Sequence, residues 1–345
     1  MAVRKSVECN VAGLSISVVS ALSYLVDWAT YIAMLVFAII WGSQTVPHKV
    51  DFSVWDITIM HQYVPENETY APIWYLIILI AIIPIIMIVI CCYWYLQNRS
   101  KSRMLWDIHQ SILGSFGAIS SQLILVVVVK NITGIPRPDF LQRCQPNYND
   151  VTDFQLATDA ICSTADEPLI NEGFRSFPSG HSSTVFASQV FLSLFLIGKI
   201  KIDAVNFFSW KLLVSIVYPL IVALKISFSR VSDNRHRIQD VLFGNLIGLI
   251  FGTAFYFLYF TNPFTKKISV AICPRKFEIV DTFVEFLNIR LSCYDLDNEV
   301  DQTKYTEHID EDAHIFPQQQ NLFSPRFDSK NFKTRPHTVN SMGRI

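Results

Sequence analysis

Six apolar stretches of spanning length constrain what this chain can fold into. They run from about Tyr24 to Trp41, Ile73 to Leu96, Ile108 to Val129, Ser182 to Ile197, Leu212 to Phe228 and Val241 to Phe260. A helix of about 20 apolar residues crosses the hydrocarbon core of a bilayer. In hydrocarbon every backbone polar group must be bonded within its own segment, so such stretches are read as helices. Composition agrees: 51% of the 345 residues are hydrophobic and only 17% are charged, the balance of a membrane protein with polar ends. The expected fold is all-α, a six-transmembrane-helix bundle with a polar, partly disordered cytosolic C-terminal tail. The expected parts are a cytosolic N-terminus (1–23), a six-helix membrane domain (24–262) and a tail (263–345). Arg4 and Lys5 precede only a weak apolar stretch, so the first strong run reads as an uncleaved first helix rather than a signal peptide.

Loop charge gives the orientation. Arg99, Lys101 and Arg103 lie between the second and third runs, Lys199, Lys201 and Lys211 between the fourth and fifth, and Lys266 and Lys267 after the sixth. The alternate loops are acidic, with Asp51, Asp56, Glu66 and Glu68 in one and Asp139, Asp159, Asp166, Glu167 and Glu172 in the other. Both termini are therefore expected in the cytosol, with the second set of loops lumenal or extracellular in an endoplasmic reticulum, Golgi, vacuolar or plasma membrane. Net charge is −1, which leaves no nucleic-acid footprint. None of the seven cysteines forms a C-x-x-C pair, and no zinc-type spacing occurs. Cys144 and Cys162 share one outer loop; an oxidising lumen permits a disulfide between them, and the alternative is two free thiols.

Within the runs, Pro84 predicts a kink. Gly114, Gly117, Ala118 and Ser120, and the stripe Gly244, Gly248 and Gly252, suit close helix packing rather than chemistry. The first outer loop, Gly42 to Pro72, carries Phe52, Val54, Trp55, Ile57, Ile59, Met60 and Tyr63 and is expected along the membrane surface. Its Asn67-Glu68-Thr69 is a glycosylation acceptor pattern on the appropriate side. Asn131-Ile132-Thr133 matches too, but abuts a membrane helix. In the tail, Ile279, Val280, Phe283, Phe286 and Leu287 suit one amphipathic helix, followed from about Ser292 by a polar, disordered stretch.

Three polar islands interrupt this pattern on the outer side. Lys130 to Pro138 places a lysine at the end of the third helix and Arg137 between two prolines, in a stiff, extended segment. Ser176 to His181 opens the fourth helix: Ser179 suits an N-cap, Gly180 lets a backbone amide approach a ligand, and free amides at a helix start favour an anion. Ser229 to Asp240 holds Arg230, His236 and Asp240. On a helix His236 and Asp240 would share a face, and a carboxylate bonded to one imidazole nitrogen leaves the other free to attack. Taken alone, this last stretch equally suits a solvated loop, and a lone His181 an interfacial histidine.

Together the islands resemble the three-part signature of the lipid phosphate phosphatases, within the type 2 phosphatidic acid phosphatase superfamily. Its first part, Lys, six residues, Arg-Pro, is met by Lys130 to Pro138. Its second, Pro-Ser-Gly-His, is met by Pro178 to His181. Its third, Ser-Arg, five residues, His, three residues, Asp, is met by Ser229 to Asp240. The resemblance covers about Tyr24 to Phe260, and the fungal diacylglycerol pyrophosphate phosphatases look nearest. Ile135, where many relatives carry another Arg, and Arg237, where another His is frequent, depart from the pattern.

The resemblance implies a hydrolase acting on membrane lipid phosphates: phosphatidate, diacylglycerol pyrophosphate or lysophosphatidate. Lys130, Arg137 and Arg230, with Ser179 and the Gly180 amide, would hold the phosphate. His236 would attack phosphorus, Asp240 would orient His236, and His181 would act as acid and then base. No cluster with metal-ligand spacing accompanies the site, so neither metal nor cofactor is expected. A sphingoid base phosphate or polyprenyl diphosphate phosphatase, and a non-catalytic membrane adaptor on the same scaffold, are the competing readings. A channel or transporter would bury more ionisable residues in mid-membrane; Asp27 is the main one here.

Overall fold

The computed structural model describes residues 8–11, 14–96, 101–148, 155–200, 210–265 and 268–275, all within one compact unit, Met1–Leu296. Six helices are long and apolar enough to cross a membrane, as the six runs predict. We label the helices α1 (Val18–Gln44), α2 (Ile73–Tyr95), α3 (Lys101–Thr133), α4 (Phe140–Cys144), α5 (Glu167–Gly173), α6 (Gly180–Ile200), α7 (Trp210–Ser232) and α8 (Ile238–Tyr259). α1, α3, α6 and α7 extend past their apolar runs at both ends and α8 at its start, because a polar residue at a helix end still has its backbone bonded internally. α1 accordingly begins at Val18 rather than Tyr24. A short antiparallel pair, β1 (Glu8–Val11) and β2 (Leu14–Ser17), precedes it. The amphipathic segment expected at Ile279 to Leu287 and the polar tail lie outside the described residues.

Buried α6 is the axis of the bundle; Phe191, Leu192, Phe195 and Leu196 fill the central core with Leu113, Tyr256 and Phe260. The glycine stripe of α8 lies against it. A Cβ on Gly244, Gly248 or Gly252 would clash with the carbonyl oxygens of Ser179, Ser183 and Ala187 respectively, so the stripe sets the approach of the two backbones. Pro84 and Pro219 each lack the N–H that would bond the carbonyl four residues back. Those carbonyls are Ile80 and Ser215, and each lies in a π-helical turn, Ile78–Ile82 and Leu213–Val217. Ser188 donates to Ile80 O at 2.7 Å and Ser193 to Ser215 O at 2.6 Å, while Gln189 bonds Leu79 O at 2.8 Å. Polar residues on α6 thus satisfy both breaks in its neighbours.

Each end of the bundle is closed differently. At one end Lys199, expected in a loop, is buried inside α6 and bonds Asp107 and Ser269 O. Asp107 also accepts from Ala271 N, and Arg275 pairs with Asp27 on α1. Residues 268–275 therefore strap α1, α3, α6 and α8 together. At the other end the first outer loop, expected along the membrane surface, packs in part against the second outer loop. Phe52, Val54 and Ile59 are buried with Phe140, Leu141, Ile170 and Phe174 in a separate small core; an isolated bridge, Phe52 to Ala157, joins the two outer loops. Cys144 and Cys162 are disulfide-bonded in this cap. Burying three of the loop's large side chains in protein leaves Trp55, Ile57 and Met60 outside.

Candidate functional site

The three islands meet beneath the cap, because α3 ends where α6 begins and α7 ends where α8 begins. Thr133 closes α3 and Gly134 follows at φ +58°, a left-handed turn that a side chain would strain. That turn starts the chain through Pro136-Arg137-Pro138, where Arg137 N bonds Gly173 O at 2.8 Å. Lys130 Nζ, from the last turn of α3, donates to Arg175 O at 2.6 Å. The second island is pinned to the third by Ser179 N donating to Asp240 O at 2.9 Å. Ser179 O accepts the first helical bond of α6, from Ser183 N, and its hydroxyl accepts from Ser182. Ser179 therefore stands at the N-cap position with its hydroxyl on the Ser182 side chain rather than on a backbone N–H. A Cβ on Gly180 would meet Val126 and Lys130 at 3.7 and 3.8 Å, so packing does not demand a glycine there.

A tight turn joins α7 to α8. Arg230 O accepts from both Arg235 N and His236 N, at 3.0 and 3.2 Å, and Asn234 takes φ +55°. His236 consequently precedes α8 instead of sharing a helix face with Asp240. Asp240 is the third residue of the helix and reaches back to Arg237 N at 2.9 Å, half of a capping box. Its Oδ2 also accepts from Ser176 at 2.6 Å. His236 Nδ1 faces that oxygen at 3.8 Å, wider than a hydrogen bond. His236 is 4% exposed, and neither its Nδ1 nor the buried Nε2 of His181 has a hydrogen-bond partner. His181 lies within electrostatic reach of Arg230, His236, Arg137 and Lys130.

The cations are held by carboxylates. Arg230 bonds Asp233 at 2.6 Å, and Tyr70 N donates to the same carboxylate. Glu172 bridges Arg137 and Arg175. Lys130, Arg137, Arg175 and Arg230 thus stand against Glu172, Asp233 and Asp240, a concentration of charge suited to a multiply charged anion. Burial lowers the Arg137 pKa, with Glu172 acting against it. Burial would raise Glu172, but Arg137, Lys130 and Arg175 bring it down to about 2. Burial depresses His236 below the ordinary histidine range, opposed by the Asp240 carboxylate. The His236 imidazole is therefore neutral at physiological pH, which a nucleophile requires.

All eight residues of the expected phosphate and catalytic set are thus gathered at one end of the bundle. Glu172, Arg175 and Ser176 were not foreseen in a role. Glu172 was one acid among several in its loop, and only folding places it between two guanidiniums. Asn131 is buried and accepts from Arg175 Nε at 3.0 Å, whereas Asn67 is exposed beside the cap in a short turn, Glu66–Glu68.

Comparison with known proteins finds the PAP2 superfamily model matching residues 112–264. Lipid phosphate phosphatase 2 of Arabidopsis thaliana is 32% identical over 238 residues, 69% of this chain and 78% of the relative. A probable diacylglycerol pyrophosphate phosphatase 1 of Schizosaccharomyces pombe is 33% identical over 231 residues, 67% of this chain and 79% of the relative. Diacylglycerol pyrophosphate phosphatase 1 of Saccharomyces cerevisiae is 30% identical over 210 residues, covering 61% and 71%. No solved structure matches.

Proposed function

The chain belongs to the PAP2 superfamily, and from that premise we propose that it is a multi-pass membrane phosphatase hydrolysing phosphatidate, diacylglycerol pyrophosphate or lysophosphatidate through a phosphohistidine. The observation that carries this reading is the joining of the second and third islands through Ser179 N and Asp240 O, with Lys130, Arg137 and Arg230 beside them. That arrangement gives one phosphate three cations, the Ser179 hydroxyl and the Gly180 amide at once. The names of two relatives favour a lipid diphosphate among the substrates.

Each group has a defined task in the two steps. Nδ1 of His236 is turned to Asp240, so Nε2 attacks phosphorus in line and the P–O bond to the lipid breaks. His181 enters the step protonated, its imidazolium paired with the bound phosphate dianion, and gives that proton to the departing lipid oxygen. Asp240, held by Ser176 and Arg237 N, stabilises the positive charge on His236. Water, deprotonated by His181, then breaks the P–N bond, releasing inorganic phosphate and restoring the neutral His236 and the protonated His181. Lys130, Arg137 and Arg230 neutralise the equatorial oxygens throughout, the work a divalent ion performs in other phosphoryl transfers. With both termini cytosolic, the site lies on the lumenal or extracellular side.

The test is phosphate release from a panel of phosphatidate, diacylglycerol pyrophosphate, lysophosphatidate, sphingoid base phosphate and polyprenyl diphosphate, with chelator present. Turnover of at least one of the first three is expected. Folded protein inactive on all three overturns the reading, and preference for either of the last two reassigns the substrate.

A further inference from the structure

Beside the catalytic cluster, between the start of α2 and the end of α7, lies a cavity of about 600 Å³ that the proposed chemistry does not use. Tyr70, Trp74 and Tyr75 line one side, and Lys225, Ser229 and Ser232 the other. The last three are spaced i, i+4, i+7, so they form one stripe along α7. At 1.5 Å per residue Lys225 lies about 10 Å along the helix from Ser232, well inside the span. It is exposed and has no hydrogen bond or ion pair among the described residues. An ammonium at that depth is costly unless it meets an anion or reaches the interface. The cavity adjoins the phosphate cluster: Arg230 Nε donates to Ser229 Oγ at 3.4 Å, and Tyr70 N bonds Asp233, the partner of Arg230. Tyr and Trp rings suit the headgroup level of a bilayer.

We propose that this cavity is a headgroup site for a membrane lipid phosphate, with the Lys225 ammonium on the phosphate and Tyr70, Trp74 and Tyr75 around the headgroup. This rests on the lipid phosphatase reading. The occupant is either substrate on its way to the cluster or a phosphodiester lipid of the surrounding bilayer.

Full-length protein and Lys225→Gln would be assayed in mixed micelles at varied surface fractions of long-chain phosphatidate, with and without phosphatidylglycerol. For a substrate site, Lys225→Gln raises the surface KM about tenfold, the loss of one charge-assisted contact, with kcat nearly unchanged and Lys225→Arg restoring it. For a phosphodiester site, phosphatidylglycerol changes the wild-type rate and Lys225→Gln abolishes that response. A variant unaltered in both overturns the proposal. Quenching by brominated phosphatidylglycerol, compared with Trp74→Phe protein, reads the site without turnover. Wild type that is quenched at Trp74 but hydrolyses no lipid phosphate would defeat the phosphatase reading and leave the lipid site standing; absence of Trp74 quenching defeats a phosphodiester site.

Discussion

Nδ1 of His236 points at an Asp240 oxygen already engaged by Ser176 and Arg237 N, which in the proposed mechanism leaves Nε2 to react. His236→Ala is expected to lower phosphate release by about a thousandfold or more, the scale of losing a nucleophile, with the helix signal in circular dichroism unchanged; wild-type turnover would remove the assignment. Burial also makes His236 hard to protonate in the folded state. Below about pH 6.5 the unfolded chain binds a proton there that the native site refuses, so stability rises with pH across that window. The unfolding temperature should fall as pH drops below that value, and His236→Gln should flatten the slope. An equal slope in both proteins would show that His236 is not held neutral. At this scale the residue types were legible through the resemblance of three motifs taken together, because Lys130 to Pro138, Pro178 to His181 and Ser229 to Asp240 are each short and local. The Glu172 bridge was not, since its two partners lie 35 and 3 residues away and only the fold brings them together.

Between elements, the decisive contact is the α6–α8 seam. Gly244→Ala would push a methyl against the carbonyl of Ser179, whose own N–H holds Asp240. Gly252→Ala makes a similar clash at Ala187, two turns from the site. Overpacking of this kind costs about 1–3 kcal/mol, so both variants should unfold at lower temperature in detergent. Only Gly244→Ala should also lose activity in the residual folded protein, and equal activity in the two would show that the seam does not position the site. Ser188→Ala, which strips the carbonyl left open by Pro84 of its donor, should cost about 1–3 kcal/mol on the same measure. The six spans and the glycine seam were readable because apolar length and small-residue spacing are periodic. The π turns were not, since they depend on Ser188 and Ser193 arriving from a different helix.

Across the whole molecule, the cap is what the apolar pattern concealed. Phe52, Val54 and Ile59 read as a membrane-surface face because nothing in their own loop shows that Phe140, Ile170 and Phe174 will meet them. Cys144 and Cys162 close a loop with a sequence separation of 18, for which chain entropy gives about 3 kcal/mol. The double Ser variant should therefore unfold earlier and lose activity together, and an unchanged unfolding temperature would show the cap stable without its bridge. If the cap faces the lumen, Asn67→Gln should abolish an endoglycosidase-sensitive gel shift; a shift that persists would place the sugar elsewhere. Every cation of the cluster stands at a single end of the bundle, and the strap of residues 268–275 closes the opposite end. On the proposed reading, turnover is confined to lipids of one leaflet, and a phosphate-bearing lipid in the other becomes available only after flipping across the bilayer.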